Sequence, residues 1–174
     1  MDAIALNTTD SPIGPLTVAA RGSRVCLVHF GRVSDYVQSA LARWYPDALV
    51  EPGRDPGGVV GVLTRYFDGD LGALDEVEVE LHGTAFQQRV WLALRTVAAG
   101  TTTSYAQLAS QVGAPSAVRA VGAANGANPV AVVLPCHRII GSNGSLTGYG
   151  GGLDRKRWLL DHEGMRRTLF GVRP

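Results

Sequence analysis

At His82-Gly83 the side-chain pattern of this chain changes, and the change divides it. Before that point Val77, Val79 and Leu81 alternate with Glu76, Glu78 and Glu80, the period of a strand with one apolar and one acidic face. After it, Thr84-Ala85-Phe86-Gln87 forms a helix capping box, and Phe86, Val90, Leu94 and Val97 recur as one helical stripe that Gly100 stops. Two units of class α+β are therefore expected: 1–82 as an N-terminal α+β support domain and 84–164 as a mainly helical C-terminal domain, with 165–174 as a tail.

Within the first half, the apolar runs Leu16–Ala20 and Val25–Phe30 flank Arg21-Gly22-Ser23-Arg24 and read as a hairpin. Val37, Leu41 and Trp44 share one helical face; Val59, Val62, Leu63, Tyr66 and Phe67 share another. Three Glu on one exposed strand face are expected to be solvated. In the second half Ser104-Tyr105-Ala106-Gln107 is another capping box, opening a helix through Val112 that ends at Gly113. A helix over Ala117–Ala124 follows, and Leu153–Glu163 is the last, stopped by Gly164. Two short helices joined by a Gly-containing turn make a helix-turn-helix candidate. The second of them, Ala117-Val118-Arg119-Ala120-Val121-Gly122-Ala123-Ala124, is small and apolar apart from Arg119. It reads either as a closely packed buried helix or as one thin enough to enter a narrow groove.

Composition narrows the classes. The 174 residues are 45% hydrophobic, enough for a packed core, without an apolar run of membrane length and without a secretory signal. Cys26 and Cys136 do not make a disulfide framework, and free thiols in a cytoplasmic protein are the simpler reading. These two Cys and the four His lack paired-ligand spacing, so no metal site is expected; no phosphate-loop or dinucleotide fingerprint suggests an organic cofactor. Net charge is +1, but residues 1–82 set six Arg against twelve carboxylates, −6, while 83–174 set nine Arg and Lys156 against three, +7. A basic half on an acidic half points to a polyanion partner for the basic one.

The chemistry lies in Leu134-Pro135-Cys136-His137-Arg138-Ile139-Ile140, a thiol beside an imidazole in an apolar run. A thiol attacks as thiolate, and an imidazole close by takes its proton. With Asn128-Pro129-Val130 before it, Gly148-Tyr149-Gly150-Gly151-Gly152-Leu153 after it and Leu159-Leu160-Asp161-His162-Glu163-Gly164 closing the region, the stretch from about Thr84 to Gly164 resembles the O6-alkylguanine-DNA alkyltransferases, the methylated-DNA–protein-cysteine methyltransferases.

That resemblance implies a ribonuclease H-like first domain without ribonuclease activity, and a DNA-binding alkyltransferase domain whose helix-turn-helix enters the minor groove. It implies double-stranded DNA containing O6-alkylguanine as partner, with O4-alkylthymine as a further substrate. The alkyl group passes once and irreversibly to Cys136, from a base flipped out of the stack. His137 would act as base through a water, Glu163 would orient it, and Tyr105 would serve a ring nitrogen of the base. Arg119 would fill the vacated place in the duplex, with Ser104, Ala120, Gly122 and Ala123 beside it on the DNA. Tyr149, Gly150, Gly151 and Ile139 would line the pocket, and Asn128 would tie the recognition helix to the active segment. Some relatives carry zinc; Arg21 and Cys26 stand where two of its ligands would align, so zinc is not carried over. A monomer is expected, with or without cooperative binding on DNA. A Cys-His-Glu hydrolase, a helix-turn-helix transcription factor and a non-enzymatic damage-recognition protein are the other readings. The hydrolase leaves Arg119 and the charge division unexplained, the transcription factor leaves Cys136-His137 idle, and Cys136 itself argues against the third.

Overall fold

In the computed structural model, which describes residues 2–165, the chain forms two compact units. The first comprises the chain up to His82 together with Pro129–Val133; the second comprises Gly83–Asn128 and the chain from Leu134 onward. Residues 166–174, most of the expected tail, lie outside the described residues. Met165, its first residue, is buried against Ile140 and Leu160 in the second unit.

The first unit is a four-stranded sheet with two helices. Strands β1 (Ala3–Thr9), β2 (Leu16–Arg21) and β3 (Arg24–Phe30) are successive antiparallel neighbours, and helix α1 (Asp35–Trp44) leads to β4 (Leu49–Pro52), parallel to β1. The order is β3-β2-β1-β4. The β2–β3 hairpin stands where the apolar runs indicated. Ser34 caps α1 by accepting from the Val37 amide, and Val37 and Leu41 bury with Ile4, Ala19 and Leu27. Helix α2 (Val59–Phe67) buries Val59, Leu63 and Tyr66. Pro129–Val133 adds to this sheet: the Val28 amide donates to the Pro129 carbonyl at 3.0 Å and the Ala131 amide to that of Val28 at 3.0 Å.

The alternating segment before the boundary is not a full strand. Ala73–Glu76 is a short 3-10 turn, and beyond it only Val79 forms a bridge, to Val25. Its Glu residues differ in environment. Glu80 is largely covered, pairs with Arg21 at 2.8 Å and accepts from the Tyr45 hydroxyl at 3.0 Å, while His82 Nε2 meets that hydroxyl at 2.8 Å. A partly exposed cation and a phenol hold this carboxylate, so the expectation of a solvated face fails there.

In the second unit both capping boxes form. The Gln87 amide donates to Thr84 Oγ1 and the Thr84 amide to Gln87 Oε1, opening α3 (Ala85–Leu94); Ser104 and Gln107 do the same for α4 (Tyr105–Gln111). Gly113, at φ +76°, leads out of α4, and α5 runs over Val118–Gly126, one residue later at its start and two at its end than the composition suggested. Strands β5 (Thr103–Ser104) and β6 (Ile139–Ile140) pair in parallel, and α6 (Leu153–His162) closes the unit. Among the described residues no helix is long and apolar enough to cross a membrane.

Candidate active site

Cys136, His137 and Arg138 form a single 3-10 turn leading into β6, with all three side chains buried. The Cys136 amide donates back across Pro135 to the Leu134 carbonyl at 2.8 Å, and that carbonyl also accepts from Asn128 Nδ2 at 2.7 Å. The backbone before the thiol is thus fixed from two directions. Glu163 follows the last residue of α6, a terminus whose exposed carbonyls disfavour a carboxylate. Its partners account for it. Glu163 Oε1 lies 2.9 Å from His137 Nε2 and accepts from Arg138 Nη2 at 2.8 Å, while Oε2 accepts from Arg138 Nε at 2.9 Å. Arg138 Nη1 reaches the Val97 carbonyl at 2.6 Å. Gly100, at φ +79°, passes so close to the Glu163 carbonyl that a Cβ there would lie 3.1 Å from the oxygen.

The electrostatics follow from burial and these pairs. Burial alone would raise the Glu163 carboxyl; hydrogen bonds from His137 and Arg138, with the Arg138 charge, outweigh it and hold the group well below the usual carboxylate range. Burial pushes His137 down, partly opposed by Glu163, so the imidazole is neutral at physiological pH. With an ionised carboxylate on Nε2, the ring proton sits there and Nδ1 carries the lone pair. Nδ1 is buried and, among the described residues, has no hydrogen-bond partner. Burial raises the Cys136 thiol, while Asn128, the charge of Lys156 and Tyr149 favour the thiolate.

Lys156 is a site residue that sequence reasoning missed. It is fully buried, and its Nζ donates to the Ile139 carbonyl at 2.5 Å and lies 3.3 and 3.4 Å from those of Thr147 and Gly148. The ammonium also lies 5.9 Å from the Tyr105 ring centroid and 6.0 Å from that of Tyr149. Burial brings its pKa down to about 8. A signal existed: Lys156 stands three and four residues before Leu159 and Leu160, on the buried stripe of α6. Arg138 was also missed: the sequence reading entered it only in the basic charge of the second half.

Of the other expected residues, Tyr105 starts α4, and its hydroxyl donates to the Thr147 carbonyl at 3.1 Å. Ile139 is buried in β6; Tyr149 is half-buried, Gly150 exposed and Gly151 buried. Helix α5 buries Val121, Ala124 and Asn125 and exposes Val118, Arg119, Ala120 and Ala123, with Gly122 between the two sets. It therefore offers a thin outer face with one cation, and is not buried all round. Ser104 Oγ is the α4 cap. Among the described residues no group of three His, Cys, Asp or Glu side chains is arranged to hold a metal ion.

Buried cysteine, imidazole and paired carboxylate, beside a helix with a thin exposed face, are the groups that thiol group transfer calls for, in a mixed α+β frame. Residues 85–165 match the family described as 6-O-methylguanine DNA methyltransferase, DNA binding domain. A methylated-DNA–protein-cysteine methyltransferase of Mycobacterium tuberculosis is 50% identical over 171 residues, covering 96% of this chain and 99% of that one. That of Salmonella typhimurium is 46% identical over 157 residues, covering 88% and 92%. A crystal structure of Mycobacterium tuberculosis OGT in complex with DNA aligns with TM-score 0.76 at 45% identity over 97% of this chain and 99% of that one. The chain belongs to the methylated-DNA–protein-cysteine methyltransferase family.

Proposed function

We propose that the protein repairs double-stranded DNA by moving the alkyl group of O6-alkylguanine, and of O4-alkylthymine, onto Cys136 in a single turnover. One observation carries this reading: the buried Nδ1 of a neutral His137, without a hydrogen-bond partner among the described residues, set beside Cys136 in sequence while Nε2 is held by Glu163. His137 accepts the Cys136 proton through a water, and Glu163 stabilises the imidazolium that forms. The thiolate attacks the alkyl carbon in line. A C–S bond forms as the C–O bond breaks, and the base leaves with its O6 carbonyl restored, recovering a proton through the Tyr105 hydroxyl. That hydroxyl donates to the Thr147 carbonyl, a bond it exchanges in serving the base. Tyr149, Gly150, Gly151 and Ile139 line the pocket, and Asn128 fixes the active segment. A thioether does not return to a thiol at the hands of the groups named here, so each molecule acts once.

Reaching a stacked base requires rotating it out, at a cost of a few kcal/mol. Helices α4 and α5 act as a helix-turn-helix whose second helix enters the minor groove, with Arg119 taking the extruded base's place and Ser104, Ala120, Gly122 and Ala123 against the duplex. The sheet order with its parallel β1–β4 pair supports a ribonuclease H-like first unit, in a protein acting as a monomer. The surface charge behind DNA binding is smaller than composition implied, because Arg138 and Lys156 are buried.

Intact-mass measurement after incubation with duplex DNA carrying O6-methylguanine tests the reading. A gain of one methyl that then stops is expected; an unchanged mass returns the hydrolase and the plain binder. Arg119→Ala is expected to slow repair of duplex DNA by about tenfold or more while barely affecting reaction with free O6-alkylguanine base, which needs no unstacking. Equal slowing on both would make Arg119 a fold or pocket residue.

A further inference from the structure

Two cations are buried beside the thiol, and they are held differently. Arg138 has a carboxylate, Glu163, at 2.8 Å. Lys156 is fully buried on α6, which packs against the Cys136–Arg138 turn, and among the described residues it has no carboxylate partner. Its Nζ reaches only the backbone carbonyls of Ile139, Thr147 and Gly148, at 2.5, 3.3 and 3.4 Å, with the rings of Tyr105 and Tyr149 about it. A buried ammonium without a counter-ion is costly, because carbonyl dipoles replace only part of the lost water. Glu163 is already committed to His137 and Arg138. The group whose ionisation is coupled to Lys156 is Cys136: the charge of each favours the charged form of the other. The missing anion is therefore one that the reaction itself creates.

We propose that Lys156 is the standing counter-charge of the nucleophile, a positioning residue whose buried ammonium favours the Cys136 thiolate while fastening the Thr147–Gly148 backbone to β6. The inference rests on the alkyl-transfer reading above and names what readies its nucleophile. The thiol proton still passes to His137 through a water; Lys156 keeps its own protons and forms no bond to sulfur. The same charge weighs slightly against a charged His137, where the Glu163 carboxylate opposes it. The Thr147 carbonyl accepts from both Lys156 and the Tyr105 hydroxyl. When that hydroxyl turns to serve the base, Lys156 remains to hold the loop. Burial brings the ammonium from its ordinary 10.5 down to about 8. Its charge is thus mostly present at neutral pH and is lost as pH rises through about 8.

The test follows the reaction of Cys136 with iodoacetamide, without DNA, across a pH series in wild type and Lys156→Met, the adduct being located by peptide mapping. Methionine keeps nearly the length of the side chain and drops the charge. At neutral pH wild type reacts about tenfold faster, the scale of one charge acting across several ångströms of protein. The ratio of wild type to variant then falls toward one as pH passes about 8, because wild type loses the same charge. Single-turnover transfer from a duplex carrying O6-methylguanine shows the same convergence, with duplex affinity unchanged, since Lys156 has no exposed surface. Rates are taken on folded protein, and Lys156→Gln replaces the Met variant if that one does not fold. A ratio that stays constant with pH would confine Lys156 to holding the loop. A ratio near one at neutral pH would remove it from the chemistry of the thiol. Either result overturns the proposal. Convergence with iodoacetamide, but no methyl taken up from the duplex by wild type, would instead sink the alkyl-transfer reading alone.

Discussion

Cys136→Ser abolishes alkyl uptake and leaves DNA binding largely intact. The hydroxyl is nearly the size of the thiol and fits the same buried turn, but it is a far weaker nucleophile that a neutral imidazole cannot ionise to any useful extent. Peptide mapping of the alkylated wild type is expected to place the adduct on Cys136. Cys26 offers no substitute: it is fully buried in the first unit's sheet, its sulfur contacts the Ala19 carbonyl at 3.4 Å, and burial pushes its thiol up to about 11. An adduct on Cys26, or uptake by the Ser variant, would contradict the assignment.

Glu163→Gln is expected to damage stability and rate together, for separable reasons. Glutamine can still accept from His137, but it leaves the Arg138 guanidinium buried without its counter-ion, a loss on the order of 3–5 kcal/mol. The rate on folded protein falls by a factor of roughly 10²–10⁴, because the imidazolium formed as the thiol ionises has lost its carboxylate. Thermal unfolding at neutral pH gives the first effect, and single-turnover transfer well below the melting temperature gives the second. A variant that melts early but transfers at the wild-type rate would confine Glu163 to supporting the fold.

What could be read from the sequence was local or chemically unusual. The two capping boxes are reciprocal hydrogen bonds within four residues, so Thr84 and Ser104 announce their helices without help from the rest of the chain. Cys136, His137 and Glu163 stood out because reactive side chains sat amid apolar residues or at a helix end that disfavours them. The edges of the first unit's sheet were harder. All four residues of β4 are exposed, and β1 is half-buried on both faces, so neither shows the alternation that betrays a strand. The opposite error occurred at Glu76–Leu81, where clean alternation suggested a strand and the backbone supplies a single bridge. Charge misled at Arg138 and Lys156: a cation reads as surface until its buried partners, a carboxylate for one and backbone carbonyls for the other, are known.

The strand-like segment Pro129–Val133 bears on how this protein could be cut into pieces. A clone begun at Gly83 would carry the whole thiol site and both capped helices, and the sequence boundary invites such a clone. It would also carry Val130, Ala131, Val132 and Val133, all buried in the intact protein, without β3 to receive the Pro129 carbonyl and the Ala131 amide. A short valine-rich stretch with unsatisfied backbone groups is a template for pairing with its own copies. The residue next but one after it is Pro135, so the loose segment would feed directly into the turn that holds the nucleophile. The first unit, expressed alone, would lack the same segment and leave the edge of β3 open. Genetic dissection at the apparent linker would thus yield two sticky fragments, and the chain behaves as one inheritable piece although it folds as two.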